Sequence, residues 1–199
     1  MFTGIVEERG RVDRISGSAV VVEAATVGED ADIGSSIAVS GVCLTVVGNE
    51  ATKDGRARLL SFDLAAETRA RTTLGDLEGD RSVNLERPVT LLTRLGGHLV
   101  QGHVDGVGEV LESRDVEDGR ELTLGLPRDC ARYVVEKGSV AVDGVSLTVT
   151  GVGDVWFGVA LIPHTLDVTT MGRLTAGDRV NLEVDLMAKY VERLLGRNP

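Results

Sequence analysis

The chain has 199 residues, 42% of them hydrophobic, which is ordinary globular composition with no stretch apolar enough to cross a bilayer. A formal net charge of -10 and an aromatic content of 3% argue against nucleic-acid binding, which draws its affinity from Lys and Arg on phosphates and from stacking platforms. Two cysteines, Cys43 and Cys130, cannot make a disulfide framework, and His98, His103 and His164 lack metal-ligand spacing, so no metal site is expected.

Residues 2–12 and 18–25 read as β-branched strands bounded by Gly and Ser. An acidic loop at 27–34 precedes a strand at 36–39, a turn at Ser40-Gly41, and strands at 42–47 and 58–64. Residues 65–73 are the helical candidate of this half, and a strand at 83–86 closes it. Short strands with glycine punctuation and one small helix predict a closed antiparallel barrel, which leaves no exposed edges. Arg87 to Leu99 is a connection opened by Pro88 and marked by Gly96-Gly97. Strands are then predicted at 100–112, 120–126, 139–142, 145–150, 155–161 and 180–184, with helical pieces at 128–133 and 165–172. Asp185 reads as the N-cap of a final helix whose Leu186, Met187, Tyr190, Val191, Leu194 and Leu195 form one apolar stripe. A helix that short is not stable alone in water, so the stripe must bury against something. The start, Met1-Phe2-Thr3-Gly4, has neither a basic region nor an apolar run, so no secretory signal is expected and the chain reads as cytoplasmic.

The two halves repeat one another. Gly41-Val42-Cys43-Leu44-Thr45-Val46 returns as Gly144-Val145-Ser146-Leu147-Thr148-Val149, and Val83-Asn84-Leu85-Glu86 as Val180-Asn181-Leu182-Glu183. Phe2-Thr3-Gly4-Ile5-Val6 is echoed by Val100-Gln101-Gly102-His103-Val104. Units of this length are domains rather than solenoid repeats. The expected division is an N-terminal barrel with its linker at 1–97, a C-terminal barrel at 98–185, and an oligomerisation helix at 186–199.

M-F-T-G-I-V, G-V-C-L-T-V, F-D-L-x-x-E-T, G-G-H-L-V-x-G-H, K-G-x-x-x-x-D-G-x-S-L-T-V and L-I-P-x-T-L, in that order along essentially the whole chain, resemble the riboflavin synthase alpha-chain family of lumazine-binding repeats. The resemblance implies an all-β chain of two six-stranded Greek-key barrels with a C-terminal α-helix that assembles a homotrimer. It implies the final step of riboflavin biosynthesis, in which two molecules of 6,7-dimethyl-8-ribityllumazine give riboflavin and 5-amino-6-(D-ribitylamino)uracil by four-carbon transfer. No cofactor is implied, the site lies between the N-terminal barrel of one subunit and the C-terminal barrel of its neighbour, and association with lumazine synthase is a further partner to consider. A duplicated chain suits this reaction, because two copies of one molecule need two similar pockets and holding them in register replaces a bimolecular encounter.

By the same resemblance, ligand contacts fall on Gly4, Ile5 and Val6, on Cys43, Leu44 and Thr45, and on Asp63, Leu64, Ala65, Ala66, Glu67 and Thr68 for the N-terminal barrel. For the C-terminal barrel they fall on Gly102, His103 and Val104, on Lys137, on Ser146, Leu147 and Thr148, and on Ala160, Leu161, Ile162, Pro163, His164 and Thr165. Phe2 is a candidate for stacking on the ring. Cys43 is a candidate nucleophile toward the electron-poor C7, against the ordinary reading of a strand cysteine as a small hydrophobe. His103 is a candidate general base for the C7-methyl proton, with Ser146 and Asp185 assisting; His98 is read as shaping the linker. Lys137, otherwise a solvated charge, becomes a partner for the ring or ribityl chain. Ser40 stands where the family leads one to expect asparagine, which leaves one pocket hydrogen bond open. The rival reading is a lumazine-binding antenna or storage protein of the same fold.

Overall fold

The computed structural model of the chain describes residues 1–196. Strands β1 (Glu8–Ser16), β2 (Ala19–Ala24), β3 (Ser36–Val39), β4 (Val42–Ala51), β5 (Arg58–Asp63) and β6 (Ser82–Glu86) close a barrel in the order β1-β2-β5-β4-β3-β6. Strands β7 (Gly106–Val116), β8 (Gly119–Gly125), β9 (Ser139–Val142), β10 (Val145–Val152), β11 (Trp156–Leu161) and β12 (Arg179–Val184) close a second barrel in the matching order β7-β8-β11-β10-β9-β12. Alternate residues point inward, so each barrel fills with its own apolar layer: Val12, Val22, Leu60, Phe62 and Leu85 in the first, Val110, Leu124, Phe157, Val159 and Leu182 in the second, all fully buried.

Two-residue turns join β3 to β4 and β9 to β10. Ser40 and Gly41 have φ of 43° and 78°, Asp143 and Gly144 of 45° and 80°, the positive pair that a type I′ hairpin turn requires. The turn tips touch. A Cβ on Gly41 would stand 2.6 Å from the Gly144 nitrogen, so the two barrels meet here on a pseudo-twofold axis where no side chain fits.

The strands predicted to begin at residues 2 and 100 enter the barrels only at Glu8 and Gly106. The preceding segments, 2–6 and 100–104, turn away at Gly4 (φ 76°) and Gly102 (φ 78°) and pair with each other through Phe2 and Val100. The helix predicted over 65–73 is α1 (Ala66–Arg71) followed by a 3-10 turn at Thr73–Asp76, interrupted at Thr72, whose hydroxyl donates to the Thr68 carbonyl and accepts from Leu74 N. Thr169 interrupts the equivalent run in the same way, leaving α3 (Pro163–Val168) and a 3-10 turn at Thr170–Arg173; Pro163 in the first turn starts α3 earlier than expected. Between β8 and β9, α2 covers Arg128–Ala131.

The final helix α4 (Leu186–Leu195) is capped as expected, with Asp185 accepting from Met187 N at 2.9 Å. One side is pinned to the second barrel by Lys189–Asp105 (2.7 Å) and by Glu192 with Arg132 and Tyr133. The apolar stripe is left open: Met187 is 56% exposed, Tyr190 58%, Leu194 73% and Leu195 78%. Residues 197–199 of the predicted C-terminal segment lie outside the described residues. Among the described residues no helix is long and apolar enough to cross a membrane.

Candidate active site

β4 pairs with β5 only from Val46 onward, and β10 with β11 only from Val149. Each repeat of the G-V-x-L-T-V phrase therefore overhangs its barrel with one edge free. That edge is taken by an arm from the other half of the chain. Cys43 N donates to the Gly102 carbonyl and Ser146 N to the Gly4 carbonyl, both at 2.8 Å. Both arm glycines are required by this approach, since a Cβ on Gly102 would lie 2.6 Å from Cys43 Cβ, and one on Gly4 2.6 Å from Ser146 Cβ. Val104 packs on the first barrel's core and Val6 on the second's.

The repeat logic assigns Gly4, Ile5 and Val6 to the first barrel and Gly102, His103 and Val104 to the second. The arms cross instead. They cross because each leaves its own barrel at a left-handed glycine and finds the unpaired edge of the neighbour. A layer thus runs from β4 through the 100–104 arm and the 2–6 arm to β10. Three inter-strand steps put the Cys43 and Ser146 backbones about 14 Å apart, with packed main chain between them.

Buried carboxylates hold the arms. Glu86 accepts from Thr3 N (2.7 Å), Thr3 Oγ1 (2.9 Å) and Gly4 N (3.1 Å), and Glu183 accepts from Gln101 N (2.6 Å), Gly102 N (2.9 Å) and His103 N (2.9 Å). Burial pushes both carboxyls above the ordinary glutamate range, and the arm N–H groups pull against it. Two buried asparagines staple the barrels. Asn84 donates to the Asp143 carbonyl and accepts from Thr170 N; Asn181 donates to the Ser40 carbonyl and accepts from Thr73 N, all at 2.8 to 2.9 Å.

At the first mouth, Cys43 is half-buried against Phe2, Val100, Ala38 and Ala141, Leu44 points into the core, and Thr45 is exposed. Asp63, Ala65, Ala66 and Glu67 are exposed on the β5–α1 corner, Thr68 is half-buried, and Leu64 belongs to the core. At the second mouth, Ser146 is half-buried, Leu147 buried and Thr148 exposed; Ala160, Ile162, Pro163 and His164 are exposed on the β11–α3 corner, with Thr165 half-buried and Leu161 buried. Phe2 is 0% exposed, wedged between the barrels, and presents no face to a ring. Ser40 lines a separate cleft of about 510 Å³ on the pseudo-twofold axis, together with Asp143, Arg81, Thr170 and Arg173. Its hydroxyl accepts from Asn84 N, so the serine-for-asparagine difference bears on the barrel junction and not on either mouth.

Three structural features lie beyond the sequence reading: the His98–Ser146 contact, the backbone conformation of Lys137, and the crossing of the arms. His98 is not a mere linker residue. It is 8% exposed, its N donates to the Thr3 carbonyl, and its Nδ1 stands 2.7 Å from Ser146 Oγ. Its Nε2 is buried with no protein partner among the described residues. Burial lowers its pKa, opposed by the charge of Asp185. His103 by contrast is exposed, held by its backbone N alone. Lys137 sits at φ 65° with its N donating to the Val149 carbonyl, the place that Gly34 (φ 91°, donating to the Val46 carbonyl) fills in the first barrel. Superposing the repeats puts lysine on a left-handed glycine, a signal the sequence does carry. Third, nothing in the spacing tells that the arms cross.

These features define a tandem-barrel protein with two matching mouths, and the model of the lumazine binding domain family matches it twice, over residues 3–88 and 101–185. The chain is 51% identical to the riboflavin synthase of Mycobacterium bovis, covering 98% of each chain, and 45% identical to that of Brucella abortus, again over 98% of each. The riboflavin synthase of Bacillus subtilis is 37% identical over 98% of this chain and 90% of its own. Among solved structures, LumP complexed with riboflavin superposes with a TM-score of 0.80 at 26% identity, covering 92% of this chain and 99% of that one; LumP complexed with 6,7-dimethyl-8-(1'-D-ribityl) lumazine does so with 0.79 at 25%. The chain belongs to the riboflavin synthase family.

Proposed function

We propose that this chain catalyses the dismutation of two 6,7-dimethyl-8-ribityllumazine molecules into riboflavin and 5-amino-6-(D-ribitylamino)uracil, as a homotrimer in the cytoplasm. The observation that carries the reading is the second mouth. A carrier needs only a place for a ring, whereas here a buried histidine is hydrogen-bonded to the serine of the repeated phrase, and a lysine in a left-handed turn pairs with Val149 on the same strand. In this reading His98 and Ser146 move the C7-methyl proton, Lys137 faces the ring or ribityl chain, and Cys43 contacts the acceptor ring without adding to it. The four-carbon unit passes from one lumazine to the other. The two products contain every atom of the two substrates, so no oxidant or hydride carrier enters the balance.

The layer of about 14 Å between Cys43 and Ser146 supports a site made between chains, because two stacked rings cannot meet through packed backbone. The open α4 stripe supports assembly through that helix. Trimers mixed from two variants test this, one disabled at Cys43 and Thr45, the other at His98, Lys137 and Ser146. Recovery of activity on co-expression is expected, since some interfaces then join two intact mouths; no recovery in mixed trimers overturns the intersubunit site. The reaction itself is tested by supplying the dimethyl lumazine alone and following flavin absorbance. One riboflavin per two lumazines consumed is expected, and binding without conversion would make the chain a carrier.

A further inference from the structure

The two buried glutamates that clamp the arms stand on the last strand of each barrel, yet what they clamp docks on the opposite one. Glu86 ends β6 of the first barrel and fixes Thr3 and Gly4, whose carbonyl at Gly4 receives Ser146 N. Glu183, on β12 of the second barrel, fixes Gln101, Gly102 and His103, and the Gly102 carbonyl receives Cys43 N. We propose that Glu183 and Glu86 are positioning residues acting across the barrels: Glu183 sets the Cys43 mouth and Glu86 sets the Ser146 mouth.

The chemistry of the clamp makes it specific for a carboxylate. Both side chains are almost fully buried, and among the described residues neither has a cationic partner within salt-bridge distance. Their charge is met by the arm itself, through main-chain N–H groups and, at Glu86, the Thr3 hydroxyl, and these charge-assisted bonds are stronger than neutral ones. A glutamine keeps one acceptor oxygen and turns an NH₂ group toward the remaining arm N–H, so at least one bond becomes a donor facing a donor. The arm that loosens then withdraws its glycine from the other barrel's strand edge and its valine from the other barrel's core.

The two clamps are not equally backed up. The first arm is also held by His98 N on the Thr3 carbonyl, and Thr3 Oγ1 adds a bond to Glu86 that has no Gln101 side-chain counterpart among the described residues. Loss of Glu183 should therefore be felt more at Cys43 than loss of Glu86 at Ser146.

The proposal deepens the riboflavin synthase reading, but its test does not depend on turnover. The natural cysteines report on the two barrels: Cys43 lies under the crossing arm of the first mouth, and Cys130 is buried in the second barrel. The full-length Glu183→Gln protein is treated with an aryl disulfide, and labelling of each cysteine is followed by peptide mass mapping. Labelling of Cys43 is expected to accelerate about tenfold or more, the scale of one lost charge-assisted hydrogen bond, while Cys130 is unchanged although it shares a barrel with Glu183. Glu86→Gln frees the arm at Thr3 and Gly4 while Phe2, which packs on Cys43, keeps its bridge to Val100, so it is expected to accelerate Cys43 far less than Glu183→Gln does although Glu86 and Cys43 share a barrel, and to accelerate labelling at position 146 in a Ser146→Cys background. Should Glu183→Gln fail to fold, Gly102→Ala lifts the same arm by steric clash and must give the same pattern. Faster labelling of Cys130 without Cys43, or of both together, overturns the crossed clamp in favour of own-barrel or global loosening. If the labelling crosses as expected but no flavin forms from lumazine, the clamp stands and the catalytic reading falls.

Discussion

The first and second barrels share a backbone plan down to the turn conformations, the arm glycines, the carboxylate clamps and the asparagine staples, while the side chains at their mouths diverge. Cys43 faces Ser146 in the superposition of the repeats, Gly34 faces Lys137, Ser40 faces Asp143 and Glu67 faces His164. Even the cores repack: Leu60 and Phe62 of β5 become Phe157 and Val159 of β11, so the large ring moves along the strand while both layers stay buried. The shared features are those in which one half touches the other. A junction on a pseudo-twofold axis must fit its own copy, so a change in one repeat there demands its match in the other. The mouths have no such constraint, and the polar groups suited to proton transfer have gathered at the second.

The largest effect should come from the C-terminal helix α4, whose apolar stripe has no counterpart in the first half. Removing Leu186 to Pro199 takes away the open stripe and is expected to dissociate the proposed trimer and abolish turnover while both barrels stay folded. Sedimentation together with far-ultraviolet circular dichroism checks it; a truncated chain that remains trimeric would put the assembly on the barrels.

Next in size are the mouths themselves. Ser146→Ala or His98→Ala is expected to lower kcat by about 10²–10⁴, the range for loss of a positioned proton-transfer group, and the double variant should fall little further because the pair acts as one unit. Cys43→Ala should cost much less, since contact does not require a thiolate. Burial holds His98 below the ordinary histidine value of 6.5. The neutral form that the proposed proton transfer uses therefore persists to lower pH, and the acid limb of the rate profile should lie below 6.5 and vanish in His98→Ala. A Cys43 effect as large as that of Ser146 would reverse the assignment of roles.

Alternation of β-branched residues and the doubled phrase were enough to read the two barrels, because period-two burial and glycine turns are local. Asp185 as a cap was legible for the same reason. The crossed arms were not, because Phe2-Thr3-Gly4-Ile5-Val6 has the composition of a first strand and only the position of the free β10 edge decides where it pairs. His98 was missed because its meaning comes from Ser146, 48 residues away, with which it makes its hydrogen bond. Phe2 was misread for a like reason: an aromatic near a ligand motif suggests stacking, but the small buried cluster on the axis needed its volume.

Asp143 sharpens the comparison at the turn tips. Burial pushes its carboxyl from the usual 3.8 up to about 7, with Asn181 N and Arg81 favouring the charge and Asp178 opposing it. Between those values the folded chain holds a proton that the unfolded chain has lost. Its contribution is therefore full below pH 4 and fades as pH rises through about 7. The stake is roughly 2–4 kcal/mol. Glu86 and Glu183 titrate in the same direction, so the difference between wild type and Asp143→Asn isolates this group. The variant should lose part of the decline in stability between pH 5 and 8, measured by urea unfolding, while Ser40→Ala, at the equivalent place, should leave the slope alone. An unchanged slope in Asp143→Asn would mean that the cleft solvates the carboxylate.

The smallest effect separates stability from activity at one residue. Lys137 keeps a left-handed backbone that costs a side-chain-bearing residue about 1 kcal/mol relative to glycine, and its counterpart in the first barrel is the unstrained Gly34. Exchange of the two therefore predicts opposite signs. Lys137→Gly should stabilise the fold by up to about 1 kcal/mol, a rise of a few degrees in Tm, and yet lower kcat/KM by about tenfold if, as proposed, its charge faces the ring or ribityl chain. Gly34→Lys should destabilise by a similar amount and return no activity, because the first mouth has no serine–histidine pair for it to serve. Thermal unfolding and steady-state flavin formation on the same preparations read both. Strain is retained where it serves function, so a Lys137→Gly protein that is more stable with full turnover would reduce Lys137 to a solvated charge that the turn merely tolerates.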